Sequence, residues 1–228
     1  RLPASRAPPV IRHWPFLTMI IIIKETTQVD AMRITKEQAE QNRERVIDAA
    51  SELFRTHGFG GVGVADVMKE AGFTHGGFYN HFDSKEALAA EATRRAFDRM
   101  AAHRERARDL EEMLTGYLSR ASRKAPARSC PAAALGSEAA NQPDRVKAEF
   151  ARGIEGMVAS VQQRLGPYGL TDAEARRRAV AIVATMAGAL TLARAVPDDD
   201  PLAHEILAAG LEGCLAEAAR PAKPTRRR

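Results

Sequence analysis

The sequence holds 228 residues, of which 45% are hydrophobic, 28% are charged and only 5% are aromatic, and its formal net charge is +5. The hydrophobic share excludes disorder over most of the chain, and the length allows one large domain or two small ones. Because long alternations of Val, Ile and Thr are absent, we predict that the fold class is all-α.

A leader of residues 1–31 differs in composition from the rest of the chain. Its apolar run, from Phe16 to Ile23, is far shorter than the ~20 residues that span a bilayer. Lys24 follows this run, where a signal peptide would carry a small-residue cleavage site. Met32 precedes the first strong helix signal, so we expect the leader to be disordered or not native. A functional N-terminal arm is the alternative. We expect no membrane contact and a cytoplasmic location.

The first predicted helix begins at Thr35 and ends near His57. Thr35 and Gln38 have the spacing of a capping box. Gly58 is expected to end the helix, because a left-handed residue commonly stops one. The apolar stripe of this helix consists of Val46, Ala50, Leu53 and Phe54.

Two short helices joined by a tight turn are predicted next. The first has an apolar stripe at helical spacing, made of Val64, Val67, Met68 and Ala71. Gly72 follows directly, where this helix must stop. Thr74 is placed to cap a second helix over residues 75–81, whose Phe78 and Phe82 share one face. This order is the helix-turn-helix plan, in which the second helix enters the DNA major groove. Asp83 and Glu86 then resemble a capping box that opens a longer helix over residues 84–104.

The stretch AGFTHGGFYNHFDSKEAL, residues 71–88, resembles the DNA-binding module of the TetR/AcrR family of bacterial repressors. The resemblance extends from about Gln38 to Leu88, and its specific part is Gly-x-x-Tyr-x-His-Phe-x-Ser-Lys-Glu from Gly76 onward. It implies a helix-turn-helix domain over residues 32–83, followed by an effector-binding and dimerisation domain over residues 84–219. Residues 220–228 would form a basic tail.

The resemblance also implies which residues contact DNA. Those that position phosphates would be Thr74, Tyr79, His81 and Lys85. Those that face the floor of the groove would be His75, Gly76, Gly77 and Asn80. Packing roles for Tyr79 and His81 are the alternative. The sequence departs from the usual family pattern at Val62-Gly63, where a capping Thr or Ser is common, so one usual phosphate contact is in doubt.

The remaining predicted elements are all helical. They cover residues 110–120, 130–141, 143–165 and 171–195, with a last helix from Asp200-Pro201 onward and a basic loop over residues 122–129. The helix after Pro143 has an apolar stripe formed by Phe150, Ile154, Met157, Val158, Val161 and Leu165. Thr171 and Glu174 form a further capping box.

The helix over residues 171–195 is apolar on nearly every side, so it must be buried on several sides. The core of a monomeric bundle would satisfy this pattern. The resemblance implies instead that this helix and the last one form a four-helix interface in a homodimer.

An effector site is predicted in the middle of the second domain. Its candidate residues on inward-facing helix surfaces are Phe97, Met100, Met113, Tyr117, Phe150, Met157 and Met186, and ordinary core packing is the alternative for each. Cys130 precedes a predicted helix, where unpaired N–H groups stabilise a thiolate, and Arg123, Lys124 and Arg128 would act in the same direction. The segment from Cys130 is similar to one in the branch that includes the repressor of N-ethylmaleimide reductase, which implies a sensor of electrophiles. A small buried core residue is the alternative.

The predicted function is that of a homodimeric repressor that binds a palindromic operator in double-stranded DNA and is released by a small-molecule or electrophile inducer. The sequence contains no GxGxxG, P-loop, HExxH or metal-spaced Cys/His cluster. We therefore predict no enzyme activity, no cofactor and no metal. An all-α protein that binds a small molecule without DNA activity is the alternative.

Overall fold

The computed structural model describes residues 35–221, and all regular elements in this range are helical. The predicted all-α fold class is confirmed. The predictions for residues 1–31 and for most of the basic tail, residues 222–228, lie outside the described residues. In chain order the α-helices are α1 (Lys36–His57), α2 (Val64–Glu70), α3 (Lys85–Arg104), α4 (Leu110–Tyr117), α5 (Arg120–Lys124), α6 (Pro131–Ala139), α7 (Asp144–Arg164), α8 (Asp172–Ala195) and α9 (Pro201–Ala219).

The start of α1 is capped as predicted. The backbone N–H of Gln38 donates to Thr35 Oγ1 at 3.1 Å. Of the described residues, 35–42 belong to one compact unit and 43–221 to another. The contacts considered below lie in the second unit, which includes α1 from Arg43 onward.

Glycines end the first two helices of the helix-turn-helix region. Gly58 has a φ of +78° and Gly72 a φ of +81°, in the left-handed region that glycine adopts without strain. The core between them contains Phe54, Val67 and Met68, all at most 2% exposed. Both predicted helix ends are confirmed, and the turns they make bring α1 and α2 into a single apolar core.

The helix α3 packs along α7 through close aromatic contacts. The rings of Phe97 on α3 and Phe150 on α7 meet edge to face, with centroids 5.5 Å apart. A Cβ atom on Gly153 would lie 2.2 Å from the Phe97 ring, so only glycine fits there. The predicted stripe of α7 is buried except for Ile154, which is 39% exposed.

The last two helices, α8 and α9, pack against each other and are both capped as predicted. Thr171 Oγ1 accepts from the N–H of Glu174 at 3.3 Å, and Asp200 Oδ1 accepts from the N–H of Leu202 at 2.9 Å. Within residues 35–221, α8 is the one helix long and apolar enough to cross a membrane by length and composition. A core helix passes the same test, and the core-facing side of α8 is buried, through Ala179, Ile182, Val183, Met186 and Leu190.

The expectation that α8 is buried on several sides is not met within one chain. Ala181, Ala184, Gly188 and Leu192 recur at helical spacing and are exposed, Leu192 to 60%. One apolar stripe of α8 therefore has no partner in the described part of the chain.

Two predicted boundaries are wrong. The helix expected over residues 110–120 ends at Tyr117, because Ser119 starts a new helix by accepting a hydrogen bond from the N–H of Ser122 at 3.1 Å. The expected basic loop over residues 122–129 consequently holds the end of α5 and the short 3-10 helix Pro126–Arg128.

Candidate functional site

The predicted recognition helix is a 3-10 helix, His75–Asn80, which we call the 75–80 segment. Its backbone bonds span three residues, from Gly77 N–H to the Thr74 carbonyl at 3.1 Å and from His81 N–H to the Phe78 carbonyl at 2.9 Å. The prediction of an α-helix over residues 75–81 is therefore wrong in type. Two adjacent glycines, each ~1 kcal/mol less favourable in an α-helix than Ala, disfavour the α-helical form of this short segment, and 3-10 helices occur mainly in short pieces.

Two aromatic side chains anchor the 75–80 segment. Phe78 is 0% exposed and Phe82 3% exposed, and their rings stack with centroids 5.6 Å apart. A Cβ on Gly77 would lie 3.5 Å from the end of the Met68 side chain, whereas one on Gly76 would meet nothing within 4 Å. Gly77 thus packs on the domain, and Gly76 faces outward.

The side chains opposite these anchors face solvent. Thr74, His75, Gly76, Tyr79 and Asn80 are exposed. The exposed fraction of Tyr79 is 69%, although the edge of its ring contacts Phe78. Thr74 occupies the capping position, but its side chain makes no cap hydrogen bond. The predicted DNA-contacting residues thus divide into this outward group and a half-buried group made of Gly77, His81 and Lys85.

The ammonium group of Lys85 is held by the domain itself. Its Nζ donates to the Phe59 carbonyl oxygen at 2.6 Å. An ammonium group has three donors, so two remain for another acceptor. Lys85 follows the N-cap of α3, which is Ser84, because Ser84 Oγ accepts from the N–H of Ala87 at 3.1 Å. The capping role predicted for Asp83 is therefore wrong by one residue.

Sequence reasoning missed how α2 begins. Gly63 has no side chain to cap this helix, yet its own N–H donates to Asp66 Oδ2 at 2.8 Å. The carboxylate thus supplies half of a capping box. An acidic residue three positions after a capping glycine was the signal that could have predicted this bond.

A cavity of about 420 Å³ lies in the second part of the chain, between the end of α3 and the α4–α5 region. Of the predicted effector residues, Met100, Met113 and Tyr117 line it. The other lining residues include His103, Arg104, Arg106, Ala107, Glu112, Ser122, Arg128 and Ser129.

The other four candidates, Phe97, Phe150, Met157 and Met186, do not line this cavity. All four are at most 5% exposed and belong to the packed core. These four residues therefore do not contribute to the cavity described above. The aromatic contact between α3 and α7 explains the position of the first two.

Cys130 is the N-terminal flanking residue of α6 and is 0% exposed. Its Sγ lies 3.9 Å from the sulfur of Met157. Of the basic residues expected beside it, Arg123 is directed elsewhere, because it donates to the Ala193 carbonyl at 2.6 Å and pairs with Asp198 at 2.9 Å.

Different arginines surround this thiol. Cys130 lies close enough to three arginines to interact with them electrostatically; these are Arg55, Arg104 and Arg194. Burial lowers the pKa of Arg55 to about 10, while the charges of Glu52 and Cys130 act to raise it. Arg55 Nη1 donates to the Ser129 carbonyl at 3.0 Å, so α1 is bonded to the residue that both precedes Cys130 and lines the cavity.

The residues that the structure describes contain no cluster of potential metal ligands. Within residues 35–221, no group of three or more His, Cys, Asp or Glu side chains could hold a metal ion.

Two family models match the chain. The model for bacterial regulatory proteins of the tetR family matches residues 46–92. The model for the C-terminal domain of LmrA/YxaF-like transcriptional regulators matches residues 106–205. Together they cover well over half of the chain, and the boundary between them falls near the end of α3.

Individual proteins agree with these models. The HTH-type transcriptional regulator LmrA of Bacillus subtilis is 23% identical over 172 residues, which cover 72% of this chain and 92% of that protein. The regulator AcrR of Shigella flexneri is 36% identical over 59 residues, 26% of this chain and 27% of that protein.

Solved structures share the fold. A TetR family regulator from Cytophaga hutchinsonii has a TM-score of 0.65 at 18% identity and covers 78% of this chain and 96% of its own. The reduced form of NemR from E. coli has a TM-score of 0.63 at 21% identity, with 76% of this chain and 95% of that chain covered.

Proposed function

This chain belongs to the TetR family of bacterial regulatory proteins and is a transcriptional regulator, and we propose that it acts as a homodimeric, ligand-responsive repressor. In this proposal it binds a palindromic operator in the cytoplasm, and a small molecule in the cavity of the second domain releases it. The single observation that carries the DNA-binding part is the arrangement of the 75–80 segment, with an aromatic anchor on one side and exposed polar groups on the other.

The exposed residues suit a division of labour on DNA. The hydroxyls of Thr74 and Tyr79 and the half-buried His81 and Lys85 would position phosphates, which fixes the register of a protein on the duplex. His75 and Asn80 would meet base edges, with Gly76 and Gly77 allowing close approach of the backbone. An Asn side chain can pair with adenine, and a good bidentate pair is worth about 1–3 kcal/mol of discrimination.

A second copy of the chain would cover the exposed apolar stripe of α8, Ala181–Ala184–Gly188–Leu192. On the neighbouring α9, Leu211 and Leu215 are only partly buried, and Ala208 and Ala219 are exposed. The exposed Ala and Gly residues of α8 and α9 allow two helix pairs to approach closely. A dimer with two-fold symmetry presents two equivalent 75–80 segments, which is why its operator would be palindromic.

The helix α3 would connect the two sites. It begins at Lys85, beside the 75–80 segment, and ends at Arg104, which lines the cavity. A helix of 20 residues spans about 30 Å, so a tilt at one end moves the other. An inducer shifts the equilibrium only if it binds the operator-incompetent state more tightly.

The electrophile response remains a separate proposal that concerns Cys130. The thiol lies near Arg55, Arg104 and Arg194, but it has no exposed surface. A reagent would therefore reach it only after local opening of α6.

The test is binding of the purified protein to DNA from the region upstream of its own gene, measured over a range of salt concentrations. Affinity should fall steeply as salt rises, and Asn80→Ala should weaken operator binding more than binding to unrelated DNA. Asn141→Ala, at the exposed end of α6, is the matched control. Operator binding that is unaffected by a mild thiol-reactive electrophile would indicate that Cys130 is an ordinary core residue. If no fragment is bound in a salt-sensitive way, the alternative of a small-molecule-binding protein without DNA activity is favoured.

A further inference from the structure

The cavity contains a buried cation that forms no ion pair within residues 35–221. Arg104, at the end of α3, is 6% exposed and lines the cavity. Its Nε and Nη1 have no hydrogen-bond partner within residues 35–221, and the ion pairs of this range include none to Arg104. The buried Arg55, by contrast, donates to the carbonyls of Ser51 and Ser129.

A second unsatisfied group lines the same cavity. Tyr117 is 5% exposed, and its hydroxyl has no hydrogen-bond partner at full geometry in the described range, although the thiol of Cys130 lies beside it. Burial raises the pKa of Tyr117 well above its usual value, and the neighbouring Cys130 acts in the same direction, so the hydroxyl keeps its proton and can donate it to an acceptor. Arg104 and Tyr117 line the same cavity.

Positive side chains outnumber negative ones in the lining of the cavity. Burial lowers the pKa of Arg104, the nearby Cys130 and Tyr117 act to raise it, and Arg164 acts to lower it. Arg106 and Arg128 also line the cavity. The acidic residue in the lining, Glu112, is already occupied, because its carboxylate accepts from the backbone N–H and from Nε of Arg108 at 2.8 and 2.9 Å.

A buried charge and a buried hydroxyl without partners are both unfavourable, and the charge much more so. Proteins keep such groups where a ligand satisfies them, since a site built to hydrogen-bond a ligand discriminates strongly against analogues that lack the matching group. The volume of about 420 Å³ lies in the range of small-molecule sites, roughly 300–1,000 Å³.

We propose that this cavity binds an organic anion, a monocarboxylate whose head group lies at Arg104 and Tyr117 and whose apolar body packs against Met100, Ala107 and Met113. The proposal rests on the proposed function, because it gives the chemical class of the inducer. An inorganic anion would leave the apolar wall unfilled. A cationic ligand would face three arginines.

The cavity is also connected to the DNA-binding part by two routes that the anion would contact. Arg104 ends α3, the helix that begins at Lys85. Ser129 lines the cavity and accepts the hydrogen bond from Arg55 of α1. A head group that draws the guanidinium of Arg104 towards the cavity would therefore act on the end of α3.

Calorimetric titration of the full chain with three probes that share a ten-carbon chain tests the proposal. Decanoate carries the carboxylate, decanamide has the same shape without the charge, and decyltrimethylammonium carries the opposite charge. We expect decanoate to bind at least about tenfold more tightly than decanamide, the factor expected for one hydrogen bond to a charged group. The ammonium probe should bind more weakly than either.

Variants show whether the named groups are responsible. Arg104→Gln should remove the preference for decanoate over decanamide, and Tyr117→Phe should reduce it. Arg94→Gln, an exposed arginine on the same helix with only a distant partner, should leave it unchanged. Cys130→Ala should also retain it. A markedly stronger preference in Cys130→Ala would make the thiol the counter-charge of Arg104 and overturn the proposal.

Melting of the unliganded proteins guards against a trivial loss of fold. Because Arg104→Gln removes an unpaired buried charge, we expect its melting temperature to be no lower than that of the wild type. Equal binding of decanoate and decanamide to the wild type would refute the anion site. The DNA assay is separate: operator binding with no decanoate preference refutes only this proposal, and a decanoate preference without operator binding refutes only the repressor.

Discussion

The carboxylate of Glu138 accepts a hydrogen bond from the backbone N–H of Phe59 at 2.8 Å. The carbonyl oxygen of Phe59 accepts a hydrogen bond from Lys85 Nζ. Both polar backbone groups of Phe59 are therefore held by side chains from other helices. A Cβ on the preceding Gly58 would lie 2.3 Å from Glu138 Oε1. Helix α6 is thereby joined to the turn that follows α1, close to where α3 begins.

We predict that Glu138→Ala lowers the free energy of unfolding by about 1–3 kcal/mol, because the Phe59 N–H loses a charged acceptor in a partly buried place. The measurement is urea unfolding monitored by circular dichroism. Glu138→Gln keeps an acceptor of the same size and should lose less. Glu111→Ala, at an exposed position of α4, is the control and should change stability by only a few tenths of a kcal/mol. Equal stability of Glu138→Ala and wild type would show that this bond is not maintained in solution.

Lys85→Met tests whether one side chain serves both the fold and DNA. Losing the bond to the Phe59 carbonyl should lower the free energy of unfolding by about 1–3 kcal/mol. Losing one phosphate contact should also reduce the slope of log affinity against log salt by about 1. Lys147→Met, at an exposed position of α7, should change neither quantity. An unchanged salt slope together with lower stability would restrict Lys85 to a structural role.

Local signals in the sequence predicted the helices well because the groups that determine them are neighbours in the chain. The capping residues Thr35, Thr171 and Asp200 lie at the predicted helix starts, and Gly58 and Gly72 end helices with positive φ. The predicted stripes are buried except where a helix has an unpartnered side. The 3-10 form of the 75–80 segment was missed, because the propensity penalty of two glycines does not say which alternative turn replaces the α-helix.

Long-range packing determined what the sequence could not show. The sequence has 34 Lys and Arg residues, and nothing in the sequence neighbours of Arg104 indicates that it is buried without an ion pair among residues 35–221. The arginines expected to act on Cys130 were chosen by closeness in sequence. The structure instead brings Arg55 and Arg194 to that thiol from 75 positions before it and 64 positions after it.

Two glycines on α7 provide a matched test of packing against α3. Gly153→Ala should be strongly destabilising, by several kcal/mol, since its Cβ would overlap the Phe97 ring at 2.2 Å and overpacking typically costs about 1–3 kcal/mol or more. Gly156→Ala meets no atom within 4 Å and should stabilise the helix by up to about 1 kcal/mol. Thermal unfolding of both variants checks this. A stable Gly153→Ala protein would mean that α3 and α7 pack less closely than described.

The burial of Cys214 leads us to predict how the free energy of unfolding depends on pH. Burial raises the pKa of its thiol from about 9 to about 11. Between these values the unfolded chain has lost the proton and the folded chain keeps it, so the free energy of unfolding falls as pH rises, by at most about 1.4 kcal/mol per pH unit. Below pH 9 both states hold the proton and this contribution is constant. The difference in unfolding free energy between wild type and Cys214→Ala isolates the effect, because Arg55 and Tyr117 titrate in both proteins. A difference that stays constant from pH 8 to 11 would contradict it.

If the proposed dimer forms, a charge introduced at two exposed apolar positions on different helices should affect its stability differently. Ala184 lies in the middle of the exposed stripe of α8, so Ala184→Glu would bury a carboxylate between two copies of the chain and should yield a monomer. Ile154 on α7 is 39% exposed but lies outside the proposed interface, so Ile154→Glu should remain a dimer. Sedimentation equilibrium measures both. Because two linked recognition segments bind a palindrome far more tightly than one, the monomer should also lose most of its operator affinity. A dimeric Ala184→Glu protein, or a monomeric Ile154→Glu protein, would place the interface on another surface.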